Sequence, residues 1–367
     1  MKILHYYAQA LTHESGVTAA ISLWADHQVD HGHEVRIAAG SGQIRSSVYN
    51  VPVVRVRHIG RGRSTYVPSV WKLAKLMRWA DIVVLHEGWT ASHYVAAGLG
   101  LLTRRRYVAM PHGVYEPGVM AGLRGPRLIR RAFERLFLSC AWRVHVYFDG
   151  ETNLVSHLSG RAVCMVAPTG FDPVEIRPTA PGAFDARTPN SVELPYVFWF
   201  GRIDPHHKGL DVLLRGLALV PEGVRPRLRL AGYDYGNGRA TVAELISELE
   251  LTEFVELGEP VFGDEKVAAI RGSLAYVHPS RWECHSIAFL EAMALDTPVY
   301  IGAGCQISRL AHNTGAATMV NSEPTAWSRV LREMSEGDRT VPSRDEFWKQ
   351  FEWTHVLSVT DSEYFGR

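Results

Sequence analysis

Cysteine and long apolar runs are both scarce in this sequence of 367 residues. Its four cysteines, Cys140, Cys164, Cys284 and Cys305, follow neither a disulfide framework nor the spacing of zinc ligands. No stretch approaches the ~18–20 apolar residues that span a bilayer. Met1 leads directly into a predicted strand rather than into a signal peptide. We therefore expect a reducing, cytoplasmic setting.

The signatures of several other protein classes are also absent. The 17 histidines include no His-Glu-x-x-His motif or Cys/His quartet, so no metal is predicted, and His206-His207 is interpreted as a solvated loop. Glycines at 40–42 and 302–304 do not extend into the dinucleotide fingerprint, which argues against a nicotinamide-dependent dehydrogenase. Gly-x-Ser-x-Gly is missing, which argues against an α/β-hydrolase. No nucleic-acid partner is predicted.

The net charge is +1 overall, but the two halves of the chain differ in sign. Residues 1–170 contain 20 Lys and Arg against 10 Asp and Glu, whereas the remainder contains 19 against 28. A basic half is expected to attract an anionic partner. Charge complementarity between two domains is the alternative explanation.

Short β-branched and aromatic runs alternate with amphipathic stretches, which is typical of a parallel α/β sheet. In the first half we predict strands at 2–8, 34–40, 51–57, 81–87, 106–110, 143–148 and 161–167, with helices at 17–31, 68–80 and 91–102. Prolines then interrupt the pattern. In the second half we predict strands at 196–203, 227–232, 254–257, 274–278, 299–301 and 317–320, with helices at 209–219, 242–249, 264–272, 286–295 and 324–335.

This alternation predicts two Rossmann-like, doubly wound domains that face each other across a cleft. The first domain is 1–172, the linker is 173–195, and the second domain is 196–340. We also predict a helical tail at 341–367 that packs back on the first domain. Ligands of such sheets bind at the carboxyl ends of the strands.

Two segments of the second half carry charged residues beside predicted helix starts. Glu283 lies in a loop before a helix, and Glu291 follows eight residues later within that helix. The helix N-terminus offers N–H groups to a diphosphate, and two carboxylates suit sugar and ribose hydroxyls. Arg202 and Lys208 flank the start of another helix and predict a cationic clamp for pyrophosphate. Solvated surface charges are the alternative for each segment.

Gly-Arg…Lys-Gly, followed about 75 residues later by Glu-x7-Glu-Ala-Met-Ala, resembles the family-4 retaining glycosyltransferases of the GT-B fold. Three further segments support the resemblance over nearly the whole chain. They are Ser15-Gly16-Val17, Met110-Pro111-His112-Gly113 and Pro168-Thr169-Gly170-Phe171-Asp172. Ser15 and Thr169 depart from the family's usual Gly and Asn.

The resemblance implies a role for each matching residue. Arg202 and Lys208 would bind the donor diphosphate, Glu283 the transferred sugar, Glu291 the ribose, and His112 the sugar near the acceptor. The other donor-binding positions it implies are Gly16, Pro260, Val261, His285, Ser286 and Ile287. The segment 284–286 replaces a Phe-Gly type sequence and leaves the donor sugar open. The resemblance also implies metal-independent front-face transfer that retains the anomeric configuration, with no cofactor beyond the nucleotide sugar, UDP- or GDP-linked.

An arginine-rich segment at 124–137 predicts a basic amphipathic helix in the first domain. Its arginines are Arg124, Arg127, Arg130, Arg131 and Arg135, and its apolar residues are Leu128, Ile129, Phe133, Leu136 and Phe137. Such a helix suits an anionic membrane surface, a lipid-linked acceptor or a soluble phosphorylated acceptor. An ordinary domain helix with a buried apolar face is the alternative. For the whole chain, an epimerase that uses sugar nucleotides or a non-catalytic binding scaffold remain alternatives to transfer.

Overall fold

The fold is described from a computed structural model that covers residues 1–9, 11, 16–40, 51–60, 67–123, 125–173, 195–295, 297–336 and 341–366. The chain forms two compact units. One unit contains Met1–Gly170 and Gln350–Arg367, and the other contains Phe171–Lys349. Most of the predicted linker, residues 174–194, lies outside the described residues.

The first unit is built on a seven-stranded parallel sheet with the order β3-β2-β1-β6-β7-β8-β9. Its strands are β1 (Lys2–Tyr7), β2 (Glu34–Ala39), β3 (Val53–Arg55), β6 (Ile82–His86), β7 (Arg106–Met110), β8 (Arg143–Val146) and β9 (Cys164–Val166). A separate antiparallel pair contains β4 (His58–Ile59) and β5 (Val67–Pro68). The helices are α1 (Gly16–Asp30), α2 (Val70–Trp79), α3 (Ala91–Leu102), α4 (Pro117–Ala121), α5 (Arg127–Cys140) and α6 (Asp149–Leu158).

The second unit repeats this plan with a six-stranded parallel sheet in the order β12-β11-β10-β13-β14-β15. Its strands are β10 (Tyr196–Ile203), β11 (Arg227–Asp234), β12 (Val255–Gly258), β13 (Ala275–His278), β14 (Val299–Gly302) and β15 (Thr318–Val320). Its helices are α7 (Leu210–Ala218), α8 (Gly238–Glu248), α9 (Gly263–Gly272), α10 (Ile287–Ala294), α11 (Gln306–Asn313), α12 (Pro324–Glu336) and α13 (Asp345–Trp348). In both sheets the strand order reverses beside the first strand, which is where such folds bind ligands.

The last helix, α14 (Trp353–Phe365), belongs to the first unit. The Trp353 ring lies 5.3 Å from the Trp24 ring, edge to face. A Cβ atom at Gly170 would approach the Trp353 ring to 2.3 Å, so this position must be glycine. The Trp142 indole donates a hydrogen bond to the Glu363 carbonyl.

Several predicted boundaries differ from the structure. Helix α5 begins at Arg127 and ends at Cys140, three residues beyond the predicted end. Helix α8 begins at Gly238, four residues before the predicted start. Helices α6 and α11 were not predicted. In α6 the Glu151 carboxylate caps the start of the helix by accepting hydrogen bonds from the backbone N–H groups of Tyr147 and Phe148.

Candidate active site

Two loops of the second unit meet where β10 and β13 end. Gly209 adopts a left-handed backbone (φ +66°), and a Cβ there would lie 2.0 Å from the Pro279 carbonyl oxygen. Only glycine therefore allows the loop after β10 to pass this close to the loop after β13. The Arg281 N–H also donates to the His207 carbonyl at 3.0 Å. This packing brings Lys208 to Glu283, although 75 residues separate them in the sequence.

The Glu283 carboxylate is bound on both oxygens. Lys208 Nζ donates to Oε1 at 2.7 Å, and His278 Nε2 lies 2.7 Å from Oε2. Burial by itself would raise the pKa of this carboxyl group. The Lys208 ammonium and His278 outweigh burial and hold the pKa well below its usual value of 4.5. Glu283 is therefore a carboxylate at neutral pH.

Arg202 and His207 form the neighbouring part of the site. Arg202 Nη2 lies 2.9 Å from His207 Nδ1, and the guanidinium lies 4.2 Å from the centre of the Tyr235 ring. The His207 ring stacks on Trp282 at 4.8 Å, and its Nε2 bonds the Trp282 carbonyl. Interpreting both histidines as a solvated loop was therefore wrong for His207, although His206 is exposed. Burial, followed by the charge of Lys208, lowers the pKa of His207 to about 4.

The N-terminus of α10 follows Glu283 in the chain. Ser286 is the N-cap residue, and its hydroxyl accepts the Phe289 N–H at 3.3 Å. His285 and Ile287, on either side, are half-buried. The first-turn N–H groups of a helix and its positive dipole end favour an anion such as a diphosphate. Glu283 therefore lies three residues before the N-cap of a helix whose start suits phosphate.

Glu291 lies within α10 and has its own cation. Its Oε1 accepts a 2.6 Å hydrogen bond from Lys266 of α9, a residue that the sequence did not single out. The structure therefore gives each predicted glutamate a different lysine partner. Pro260 and Val261 lie half-buried in the connection between β12 and α9.

The remaining predicted residues belong to the first unit. His112 follows β7 with a left-handed backbone (φ +55°), and its ring contacts Tyr147 and His86. Gly16 is the first residue of α1. A Cβ there would meet no described atom within 4 Å, so packing in this part of the chain does not require the glycine. Ser15 and Arg124 lie outside the described residues.

One group of side chains in the second unit has metal-binding chemistry. Ligand atoms of His278, Glu283 and Cys305 lie within 4.8 Å of one another. The sequence could not show this grouping, because Cys305 reaches the site through a bridge between its own backbone and that of Glu283. These three side chains are therefore the place to test the prediction that the protein needs no metal.

The ion pair at Glu283 should also appear in the pH dependence of stability. A carboxyl group whose pKa is lowered in the folded state stabilises the fold above the unfolded pKa, and this stabilisation is lost as pH falls. We expect the gap in unfolding free energy between the wild type and Glu283→Gln to be constant near neutral pH. The gap should shrink below about pH 4.5, close to the usual carboxyl pKa. Urea unfolding from pH 7 down to pH 3 measures it, and a gap that widens in acid would contradict the pair.

A cavity of about 600 Å³ lies in the first unit beside α4, α5 and α6. Arg127, Arg130, Arg131 and His157 supply polar lining, and Trp89, Met120, Leu123, Leu154 and Leu158 supply apolar walls. The same helix α5 exposes apolar side chains. Leu128 is 83% exposed and Leu136 is 61% exposed, whereas Phe137 is buried. Most of the predicted apolar face is therefore not core.

Sequence comparison places each half of the chain in a known family. The family described as Glycosyltransferase Family 4 matches residues 15–175, and Glycosyl transferases group 1 matches residues 184–350. The chain belongs to the family-4 glycosyltransferases of the GT-B fold. The predicted family and fold class are thereby confirmed.

Curated relatives of this chain include proteins named D-inositol 3-phosphate glycosyltransferase. The Mycolicibacterium gilvum protein is 30% identical over 174 residues, 46% of this chain and 38% of that protein. The Kineococcus radiotolerans protein is 29% identical over 278 residues, 68% of this chain and 63% of that protein. The chain therefore spans less than two thirds of the length of these relatives.

Solved structures share the fold of this chain. Anabaena HepE in complex with UDP-glucose superposes with a TM-score of 0.74 at 15% identity, covering 99% of both chains. A sucrose-phosphate synthase from Thermosynechococcus elongatus superposes with a TM-score of 0.71 at 18% identity, covering 100% of this chain and 98% of the other. Within the described residues, no helix is long and apolar enough to cross a membrane.

Proposed function

We propose that this glycosyltransferase moves a sugar from a nucleoside diphosphate to an acceptor hydroxyl and retains the anomeric configuration. One observation supports this most strongly. A partly buried carboxylate, Glu283, is paired with Lys208 shortly before a helix start that suits a diphosphate. A sugar linked to a diphosphate presents both the hydroxyls and the negative charge that such groups bind.

In the proposed reaction, Arg202 and Lys208 stabilise the charge that develops on the departing diphosphate, as does the N-terminus of α10. The leaving phosphate accepts the proton of the attacking hydroxyl on the same face of the sugar. Glu283 orients the sugar hydroxyls, and Glu291 binds the ribose. Pro260 and Val261 contact the base, and Gly16 allows close approach to the diphosphate. No cofactor takes part.

A thermal-shift screen with UDP-, GDP-, ADP- and TDP-sugars tests the donor proposal. UDP is favoured because HepE, which shares the fold, was solved with UDP-glucose. A donor at 100 times its Kd should stabilise the fold by about 2.7 kcal/mol. No shift with any of the four nucleotides would exclude a donor linked to UDP, GDP, ADP or TDP.

For the acceptor, we propose a molecule that carries phosphate and binds at the arginine-lined cavity of the first unit. The relatives named for D-inositol 3-phosphate support an anionic acceptor. Arg130 is half-buried, and its Nε has no hydrogen-bond partner within the described residues, so a phosphate oxygen would satisfy it. In a thermal-shift measurement, we expect inositol phosphate to stabilise the protein and inositol to have no effect. The stabilisation should be lost in Arg130→Met. Equal stabilisation by both compounds would exclude phosphate recognition.

The exposed face of α5 leads to a prediction about membranes. We expect the protein, proposed to be cytoplasmic, to associate with anionic vesicles, because α5 exposes apolar side chains and carries arginines on its other side. Each arginine near the surface should contribute about 1 kcal/mol, screened over a Debye length of ~8 Å at physiological salt. Co-sedimentation with phosphatidylglycerol and phosphatidylcholine vesicles at about 50 and 300 mM salt measures this.

The matched control for the vesicle experiment changes Arg127, Arg130 and Arg131 to glutamate. Binding to the anionic vesicles should then be lost. Equal binding of the wild type to both lipids, or none at low salt, would contradict the membrane proposal and favour a soluble acceptor.

Transfer should proceed without a divalent metal. Lys208 and Arg202 already supply positive charge where a metal would otherwise neutralise the diphosphate. Activity in excess EDTA should equal activity in added Mg²⁺ or Mn²⁺. Loss of activity on chelation, with recovery on adding metal, would contradict this mechanism and direct attention to the His278, Glu283 and Cys305 group.

A further inference from the structure

A continuous row of hydrogen bonds in the first unit ends at His112. Gln28 Oε1 lies 2.7 Å from His5 Nε2, and His5 Nδ1 lies 2.8 Å from His86 Nε2. His86 Nδ1 lies 2.7 Å from His112 Nε2, and the Tyr147 hydroxyl lies 2.6 Å from His112 Nδ1. His5, His86 and Gln28 are each at most 1% exposed. The row therefore links a deeply buried amide to the loop after β7.

Burial keeps the inner rings uncharged. It lowers the pKa of His5 to about 4. It also lowers the pKa of His86 well below its usual value, and the neighbouring rings His112 and His5 lower it further. A neutral imidazole carries one N–H group and one lone pair, so each ring can donate in only one direction along the row.

The amide end determines that direction. The Gln28 carbonyl oxygen can only accept, so His5 must donate from Nε2 and accept at Nδ1. His86 then donates from Nε2 to His5, and His112 donates from Nε2 to His86. In the neutral form of His112 the remaining nitrogen, Nδ1, carries a lone pair and accepts from the Tyr147 hydroxyl.

We propose that Gln28, His5 and His86 are positioning residues that fix the tautomer and ring orientation of His112. The consequence for reactivity rests on the proposed function and on the place beside the sugar that the family resemblance implies for His112. A ligand group that replaces the Tyr147 hydroxyl at Nδ1 must be a donor. Hydroxyl groups of a sugar satisfy this requirement, whereas a carboxylate or a phosphate oxygen is repelled by the lone pair.

Another buried histidine provides an internal standard. His145 Nε2 lies 2.8 Å from the Ala167 carbonyl oxygen, which can only accept, so His145 must carry its proton on Nε2. Its Nδ1 then accepts from the Tyr364 hydroxyl. The tautomer of His145 should therefore be independent of Gln28.

Nitrogen-15 NMR of histidine-labelled protein tests the proposal. His112→Ala assigns the His112 signals by their loss. In the wild type we expect His112 to be protonated at Nε2 alone. Gln28→Leu removes the carbonyl oxygen that fixes the direction of the row. The form of His112 that is protonated at Nδ1 should then become populated, although His5 and His86 lie between the substituted residue and His112. Gln28→Glu keeps an acceptor and should leave His112 protonated at Nε2.

Two results would overturn the proposal. The first is a wild-type His112 protonated at Nδ1, and the second is a His112 signal that stays the same in Gln28→Leu. A simultaneous change at His145 would indicate general disruption instead, and would also count against the proposal.

Kinetics with UDP-glucose separate this proposal from the proposed function. Gln28→Leu should lower kcat by about tenfold or less and leave the affinity for free UDP unchanged, because the nucleotide is assigned to the second unit. A shifted tautomer with unchanged kcat would confirm the relay and exclude a role for His112 in transfer. A wild type that binds no UDP would contradict a UDP-linked donor while the NMR result still stands.

Discussion

Lys208→Ala should lower kcat/KM for the nucleotide sugar by about tenfold to a hundredfold, since a hydrogen bond to a charged group contributes roughly 1.5–3 kcal/mol. The loss has two origins. The donor diphosphate loses a cation, and Glu283 loses the partner that keeps its carboxyl group ionised despite burial. Arg202→Ala should cause a loss of similar size without affecting Glu283, because Arg202 contacts His207 and Tyr235 instead.

The pH dependence of activity separates the two causes of the loss in Lys208→Ala. In Lys208→Ala, burial should raise the pKa of Glu283, so activity should fall at a higher pH on the acid side than in the wild type. Lys349→Ala is the matched control, because Lys349 pairs with Glu346 at an exposed position of the same unit. Unchanged kinetics in both Lys208→Ala and Arg202→Ala would exclude the clamp.

Glu283→Ala and Glu291→Ala should impair different steps, turnover in the first and nucleotide binding in the second. Glu283 is assigned to the transferred sugar, so its loss should mainly lower kcat. Glu291 is assigned to the ribose, so its loss should mainly weaken the binding of free UDP or GDP. The structure supports separate roles, because Glu283 pairs with Lys208 and Glu291 with Lys266.

Isothermal titration with the free nucleotide decides between these assignments. Glu283→Ala should bind UDP as the wild type does, within about a factor of three, which is less than 1 kcal/mol. Lys266→Ala should resemble Glu291→Ala, since it removes the partner that orients this carboxylate. Equal loss of nucleotide affinity in Glu283→Ala and Glu291→Ala would show that the assignment is wrong.

Much of the local arrangement around α10 could be predicted from sequence. Ser286 caps the helix, Glu283 precedes it and Glu291 lies within it, as the residue types and spacing indicated. Capping and helix periodicity act over a few residues, and a single sequence therefore records them. His278 and Lys266 were missed because each is recognisable only by the carboxylate that it contacts.

The arginine-rich segment shows a different limit. Its amphipathic pattern predicted a helix, and α5 confirms that helix with shifted ends. The pattern could not decide whether the apolar face is buried, because a core helix and a surface helix share the same periodicity. Only the structure showed Leu128, Ile129, Phe133 and Leu136 to be exposed.

The sequence by itself determined the two parallel sheets, since buried parallel strands appear as continuous apolar runs between amphipathic helices. It also determined the charged motifs at 202–208 and 283–291, and through them the family. The tertiary structure alone decided which charges pair and which polar groups are buried together. His5 and His86 are 81 residues apart, and Lys208 and Glu283 are 75 apart. Such contacts depend on how strands are ordered in the folded sheet, and local sequence patterns carry no record of that order.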